Sequence, residues 1–356
     1  SSTAAANTAR ASTARDRRHR RDPASNNKMV ATRSGRSKTS ADAVESTLVP
    51  LALNLLGWYG CNAFFNVLNK EALNRWPYPW AVAWLQLVAG VAIVLPLWAS
   101  GLRAPPKADL QFVARTFGPI GALHAGGHGA QVVSFGAGSV FMAHVVKALE
   151  PIVGTVIGYL FLGSTPSLMT NLSLVPIVCG VVYAASKPGG VDFGGLTSLP
   201  ARTALVSTVA FAFAKVLAKR QMSPKVKKAR NLDGANVYGL LTLCSCVCLA
   251  VPAFLLEGAA AYDALQSTDS MIVLSLVARS GALYYLSNEF SFRVLGMLDP
   301  VSQAVANAAK RVFVLAAAAV FLGEVPSARK VTGSCVALLG VLGYGLSKRD
   351  AAKKNR

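Results

Sequence analysis

The sequence predicts an all-α membrane protein of ten transmembrane helices arranged as two inverted five-helix repeats. Three observations carry this. First, 53% of residues are hydrophobic and only 15% charged, and the charges gather at the ends and in a few short stretches. Soluble domains do not look like this, and polytopic helical membrane proteins do. Second, ten apolar segments follow one another, each near the roughly 20 residues that cross a bilayer core. Third, the halves repeat. Phe161-Leu162-Gly163 before Pro166-Ser167 recurs as Phe321-Leu322-Gly323 before Pro326-Ser327, and Val67-Leu68 before Lys70 recurs as Val216-Leu217 before Lys219. Five segments per half is an odd number, so the second half must lie upside down relative to the first. Inverted repeats place a transport site at their interface near the midplane.

Residues 1–45 come first. They hold eight Arg and two Lys against four acids, with no apolar run. That composition suits an organellar transit peptide and equally a disordered basic tail. The first repeat, 46–186, contains apolar segments at 47–69, 79–101, 111–136, 139–162 and 167–186. The second, 187–348, contains 198–218, 234–256, 270–294, 298–322 and 327–347. Trp76, Tyr78, Trp80 and Trp98 flank the second segment as interfacial aromatics do. Asp299-Pro300 signals a helix start, and Gly163 and Gly323 sit where helix ends favour glycine. A basic C-terminal tail, 349–356, closes the chain.

The formal net charge is +20, but a chain this apolar is not a nucleic-acid module, and no nucleic-acid partner is expected. Ten spans put both termini on one side. That side also receives Arg103, Lys107 and the run Lys219, Arg220, Lys225, Lys227, Lys228, Arg230, while Glu257, Asp263 and Asp269 fall opposite. The positive-inside rule explains this division. Six cysteines all fall in apolar runs and imply no disulfide framework. No enzyme constellation, metal-ligand cluster or cofactor motif is present. The bilayer is the one assured partner, and a homodimer is left open.

The chemistry lies in charges that a span should not hold. Lys310 and Arg311 stand side by side near the middle of the ninth segment, where each charge costs at least ~2.5 kcal/mol. The fourth segment, which corresponds to it in the repeat, carries His144, Lys147 and Glu150 at i, i+3 and i+6. Lys147 reads either as a substrate cation or as half of an internal ion pair with Glu150. Cations on both related helices favour a substrate, and adjacent Arg and Lys suit phosphate: a planar fork beside a mobile point charge. His124 and His128 lie at i, i+4 on the third segment. No further ligand accompanies them to make a zinc site, so a polar cavity wall is expected, with His128 and Gln131 facing substrate. Tyr284, Tyr285 and Ser287 offer hydroxyls, though the tyrosines suit packing equally. Lys215 and Arg279 are gate or site candidates. Glu289 and Arg293 form an i, i+4 pair, and Gly154 and Gly158 read as a helix-contact face.

These stretches resemble a known family from about Leu51 to Ser347. They are Trp58-Tyr59 with Asn62, Phe65-Asn66 and Asn69-Lys70; Pro77-Tyr78-Pro79; His144-Val145-Val146-Lys147-Ala148-Leu149-Glu150-Pro151; Asn288-Glu289; and Asn307 with Lys310-Arg311-Val312. The chain is similar to the plastid phosphate translocators of the drug/metabolite transporter superfamily. The resemblance implies a multi-pass protein of a plastid envelope membrane. It also implies exchange of inorganic phosphate for a phosphorylated C3 metabolite, with C5 and C6 compounds left open. Lys147, Lys310 and Arg311 then look like the phosphate-binding cations, His128 like the family's histidine, and Phe211 like its aromatic on the sixth helix. Three positions depart: Gln131 stands for a Thr of the three-carbon carriers, Ser287 for a Tyr and Ala214 for an Arg, with Lys215 adjacent. The alternative is a nucleotide-sugar or other organic-anion transporter of an endomembrane.

Overall fold

The structure is a computed structural model whose described residues are 40–163, 165–186, 194–267, 269–295, 297–298 and 300–354. The transit-peptide reading of 1–45 therefore lies, apart from 40–45, outside the described residues. Among the described residues every regular element is helical. In order these are α1 (Ser40–Arg75), α2 (Pro79–Ala99), α3 (Leu110–Phe112), a π turn (Val113–Phe117), α4 (Gly118–Ala137), α5 (Val140–Val146), a tight three-residue turn (Lys147–Leu149) and α6 (Glu150–Leu162). Then follow α7 (Leu168–Ala185), α8 (Gly194–Thr197), α9 (Leu199–Gln221), α10 (Pro224–Ala229), α11 (Gly234–Ser267), α12 (Ser270–Leu295), α13 (Pro300–Phe321) and α14 (Ala328–Lys354).

Seven stretches are long and apolar enough to cross a membrane: Pro79–Ala99, Val140–Phe161, Leu168–Ala185, Leu199–Ala218, Gly234–Ser267, Ser270–Val294 and Ala328–Ser347. Helices also occupy the other three expected segments, as α1, α4 and α13. Those three carry the polar interior. Asn66 and Asn69 of α1, His124, His128 and Gln131 of α4, and Arg311 of α13 are all buried.

Two expected helices are broken, each by a proline. Pro119 follows the π turn, and Pro151 follows the tight turn at Lys147–Leu149. A proline lacks the N–H that would bond the carbonyl four residues back, and its ring crowds that carbonyl. Pro151 therefore has no N–H to offer the Lys147 carbonyl, which accepts instead from the Glu150 N–H of the tight turn. Helix starts carry the expected side-chain caps at Asp109, Ser139, Ser167 and Ser223. Gly163 and Gly323 close α6 and α13 at φ of 63° and 65°, so the recurring Phe-Leu-Gly motif ends both helices in the left-handed conformation that favours glycine.

The described residues from Thr47 onward form one compact unit. Within it α7 lies along α14, α4 along α9, and α2 against α11 and α12. The closest approach is between α7 and α14. A Cβ on Gly180 would come within 2.5 Å of the Gly333 carbonyl oxygen, so the two backbones touch, as small residues permit in membrane bundles. The expected contact face at Gly154 and Gly158 is not the tight one, since a Cβ at Gly154 meets nothing within 4 Å. All six cysteines are free.

Candidate functional site

Arg311 is the centre of the site. It is 7% exposed, and its guanidinium reaches the broken helix opposite. Nη2 donates to the Lys147 carbonyl at 2.8 Å and to Glu150 Oε2 at 3.2 Å, and Nη1 donates to the His144 carbonyl at 3.3 Å. The Lys147 carbonyl, which accepts from the Glu150 N–H, thus accepts from Arg311 as well. Pro151 and Arg311, 160 positions apart, both bear on one carbonyl.

The other cations surround this point. Lys147 donates to Gln131 Oε1 on α4 and lies 5.3 Å from the centre of the Phe211 ring on α9. Lys310 sits over the Trp58 ring of α1 at 4.8 Å, a cation–π contact. Lys215 of α9 pairs with Glu150 Oε1. Glu150 interacts electrostatically with all four cations, Lys147, Lys215, Lys310 and Arg311. The spacing reading paired Glu150 with Lys147. Its direct partners are instead Lys215 and Arg311, because cations from two other helices reach the carboxylate.

A polar wall beside the cations is built by α4, α12 and α1. His128 is fully buried and stacks on Tyr284, ring centres 4.1 Å apart. His124 lies 3.1 Å from Ser245 Oγ and packs edge-on against Phe211 at 5.3 Å. Among the described residues no cluster of His, Cys, Asp or Glu is arranged to hold a metal ion. Ser287 accepts a hydrogen bond from Asn62 Nδ2 at 3.1 Å. His144 turns away from the cations toward Asn66 Oδ1, at 3.1 Å from Nε2. The sequence reading missed Trp58, Asn62 and Asn66 as wall residues. The available signal was Asn62, Asn66 and Asn69 at i, i+4 and i+7 in an apolar helix, which puts three amides on one face.

Two candidates lie elsewhere. Tyr285 accepts from Arg103 Nη1 at 3.4 Å and belongs to a second charged group. There Arg103 holds Glu289 through both guanidinium nitrogens, at 2.6 and 3.1 Å, and Arg293 pairs with the same carboxylate. The expected Glu289–Arg293 pair is thus present, with Arg103 added to it. Arg103 stands in the connection after α2. Burial opposes its charge, the paired carboxylate outweighs this, and its pKa is held above the ordinary value. Arg279 is exposed and bonds the Ser275 carbonyl of its own helix at 3.1 Å, so it is not among the site residues.

Three features therefore coincide: cations from α13 and the tight turn before α6, with Arg311 buried, a shared acid, and a polar wall. Residues 49–345 match the family described as the Triose-phosphate Transporter family. The chain belongs to that family. Similar members include the xylulose 5-phosphate/phosphate translocator, chloroplastic, of Arabidopsis thaliana, 32% identical over 83% of this chain and 69% of the relative. The triose phosphate/phosphate translocator, chloroplastic, of Brassica oleracea var. botrytis is 30% identical over 85% of this chain and 72% of its own. Glucose-6-phosphate/phosphate translocator 2, chloroplastic, of Arabidopsis thaliana is 30% identical over 82% and 74%. A protein crystal structure at 13% identity covers 88% of this chain with a TM-score of 0.51, a likeness of fold alone. The matched stretch, residues 49–345, spans every residue of the site.

Proposed function

We propose that this chain exchanges inorganic phosphate for a phosphorylated sugar across a plastid envelope membrane, by alternating access between ten spans in two inverted halves. The names of three relatives, which carry triose phosphate, xylulose 5-phosphate or glucose 6-phosphate against phosphate, support this reading. The single observation that carries it is the group of Lys147, Lys310 and Arg311 around Glu150. Three cations and one acid leave a balance of two positive charges, or three with Lys215. A phosphate monoester brings close to two negative charges at neutral pH.

Without substrate, each cation leans on a weak internal partner: Gln131 for Lys147, the Trp58 ring for Lys310, and two carbonyls and a shared carboxylate for Arg311. None of these supplies a full dianion. Closing the site around uncompensated charge is costly in a low dielectric. A phosphate dianion balances the charge and permits closure, so the loaded carrier crosses and the empty one does not. Strict exchange follows. The paired left-handed ends at Gly163 and Gly323 support related roles for α6 and α13 in the two halves.

The test uses vesicles containing the purified protein and preloaded with phosphate. Labelled phosphate uptake should require the internal phosphate and should be inhibited by one sugar phosphate of the C3, C5 and C6 panel. Uptake of a UDP-sugar with no phosphate uptake would overturn the reading.

A further inference from the structure

The substrate-bearing helices α5 and α13 pack side by side only briefly, yet they are tied firmly at one end. Glu324 stands in the turn after α13. Its Oε2 accepts from Ser139 Oγ at 2.7 Å and from the Phe141 N–H at 3.0 Å, and its Oε1 accepts from the Val140 N–H at 3.0 Å. These donors belong to the first turn of α5, which has no intrahelical acceptor for them. The preceding turn is held from its other side. Lys70, near the end of α1, donates to the carbonyls of Phe135 and Gly138 at 2.8 and 2.9 Å. The α4–α5 corner is thus clamped by an acid on its amides and a base on its carbonyls.

A second carboxylate makes a similar bond with a different setting. Glu257 of α11 accepts from the Trp80 and Ala81 N–H groups at 2.9 and 3.0 Å at the start of α2. There α2 already packs along α11, and Trp76 Nε1 donates to the Ala261 carbonyl at 3.1 Å. That cap lies in a seam that apolar packing holds by itself. The bond from Glu324 has no such support between α5 and α13. On the other side of the cations, Glu150 and Lys215 keep 37% and 69% of their side-chain surface exposed.

We propose that Glu324 is the latch of the gate at this end. With its carboxylate on the first turn of α5, the cavity is shut there and entered from the other side. Opening toward the α4–α5 corner requires that carboxylate to let go of Ser139, Val140 and Phe141. Glu324 is therefore a positioning residue: it acts on access to Lys147 and Arg311 and does not touch substrate. Its purpose in an exchange cycle rests on the phosphate-exchange reading, but the geometry of the latch does not.

The test reads access directly. Ala143 is fully buried on α5, one turn after Ser139 and one turn before Lys147. In full-length protein in vesicles, an Ala143→Cys reporter is challenged with a membrane-impermeant thiol reagent from the side of the α4–α5 corner, and the same chain without the reporter gives the background. Glu324→Ala loses all three charge-assisted bonds and should raise labelling about tenfold or more, and Glu324→Gln, which keeps an acceptor oxygen, should raise it less. Glu257→Gln should leave it unchanged. Unchanged labelling in both Glu324 variants would overturn the proposal, and so would an equal rise in Glu257→Gln, which would indicate general loosening. If Glu324→Ala does not insert, Glu324→Gln decides alone. Failure of the parent chain to exchange phosphate would strike the function and leave this readout standing.

Discussion

Replacing Arg311 with lysine keeps the charge and removes the fork, which separates the two contributions of this residue. Arg311 spreads three hydrogen bonds over 2.8 to 3.3 Å, from two nitrogens to three acceptors on α5, the tight turn and α6. An ammonium at the end of a lysine stem cannot reach all three from one point. Each hydrogen bond involving a charged group contributes ~1.5–3 kcal/mol, so losing one from the loaded site weakens apparent phosphate affinity by ~10- to ~100-fold. The long-range attraction is unchanged because the net charge is unchanged. The assay is the concentration dependence of phosphate uptake into phosphate-loaded vesicles, with Arg311→Gln as the charge-removing comparison. Arg311→Lys should bind phosphate more weakly than the parent and better than Arg311→Gln. Half-saturation of Arg311→Lys at the parent's phosphate concentration would refute the argument, since charge alone would then suffice.

Pro151→Ala supplies an N–H that can bond the Lys147 carbonyl in α-helical register, where the Glu150 N–H and Arg311 now bond it, so exchange should fall about tenfold while thermal stability in detergent holds or rises. A Cβ at position 333 would lie 2.5 Å from the Gly180 oxygen. Gly333→Leu should therefore cost ~1–3 kcal/mol or more and lower the unfolding temperature by several degrees, read by a thermal-shift assay on purified protein. Gln131→Thr removes the amide that occupies Lys147, and Ser287→Tyr fills the space beside Asn62. The double variant should shift the ratio of C3 to longer sugar-phosphate uptake toward C3 by about severalfold, measured by competition at fixed labelled phosphate.

Much of the fold was legible because a bilayer imposes simple rules. Apolar length located the helices, and Asp299-Pro300 and the Phe-Leu-Gly motifs placed starts and ends to within a few residues. The breaks were not legible. Pro151 lies inside an apolar run whose periodicity continues across it, and only the structure shows the tight turn at Lys147–Leu149 before it. The site followed a similar division. Lys147, Lys310 and Arg311 were visible because charge in a span is costly. The partners of Glu150 were not, because spacing along one helix sees neighbours on that helix, while Lys215 and Arg311 arrive from α9 and α13. Arg279 misled for the same reason. A charge in an apolar run does not reveal which face of the helix it occupies, and this one faces out.

The arrangement of internal partners explains how the site can be both highly charged and stable without substrate. Fully compensated cations would offer phosphate no gain, and bare ones would destabilise the bundle. This chain lies between those limits. Arg311 donates to the carbonyls of His144 and Lys147, so part of its desolvation is offset by backbone acceptors. Lys310 leans on a ring that cannot neutralise it, and Lys147 on a neutral amide. Among the described residues that meet these cations the anion is Glu150, divided between Lys215 and Arg311. Each partner holds its cation in place without cancelling its charge. On the proposed exchange reading, that leaves an attraction a dianion can satisfy and a uniport cycle cannot, a physical basis for coupling one phosphate to another.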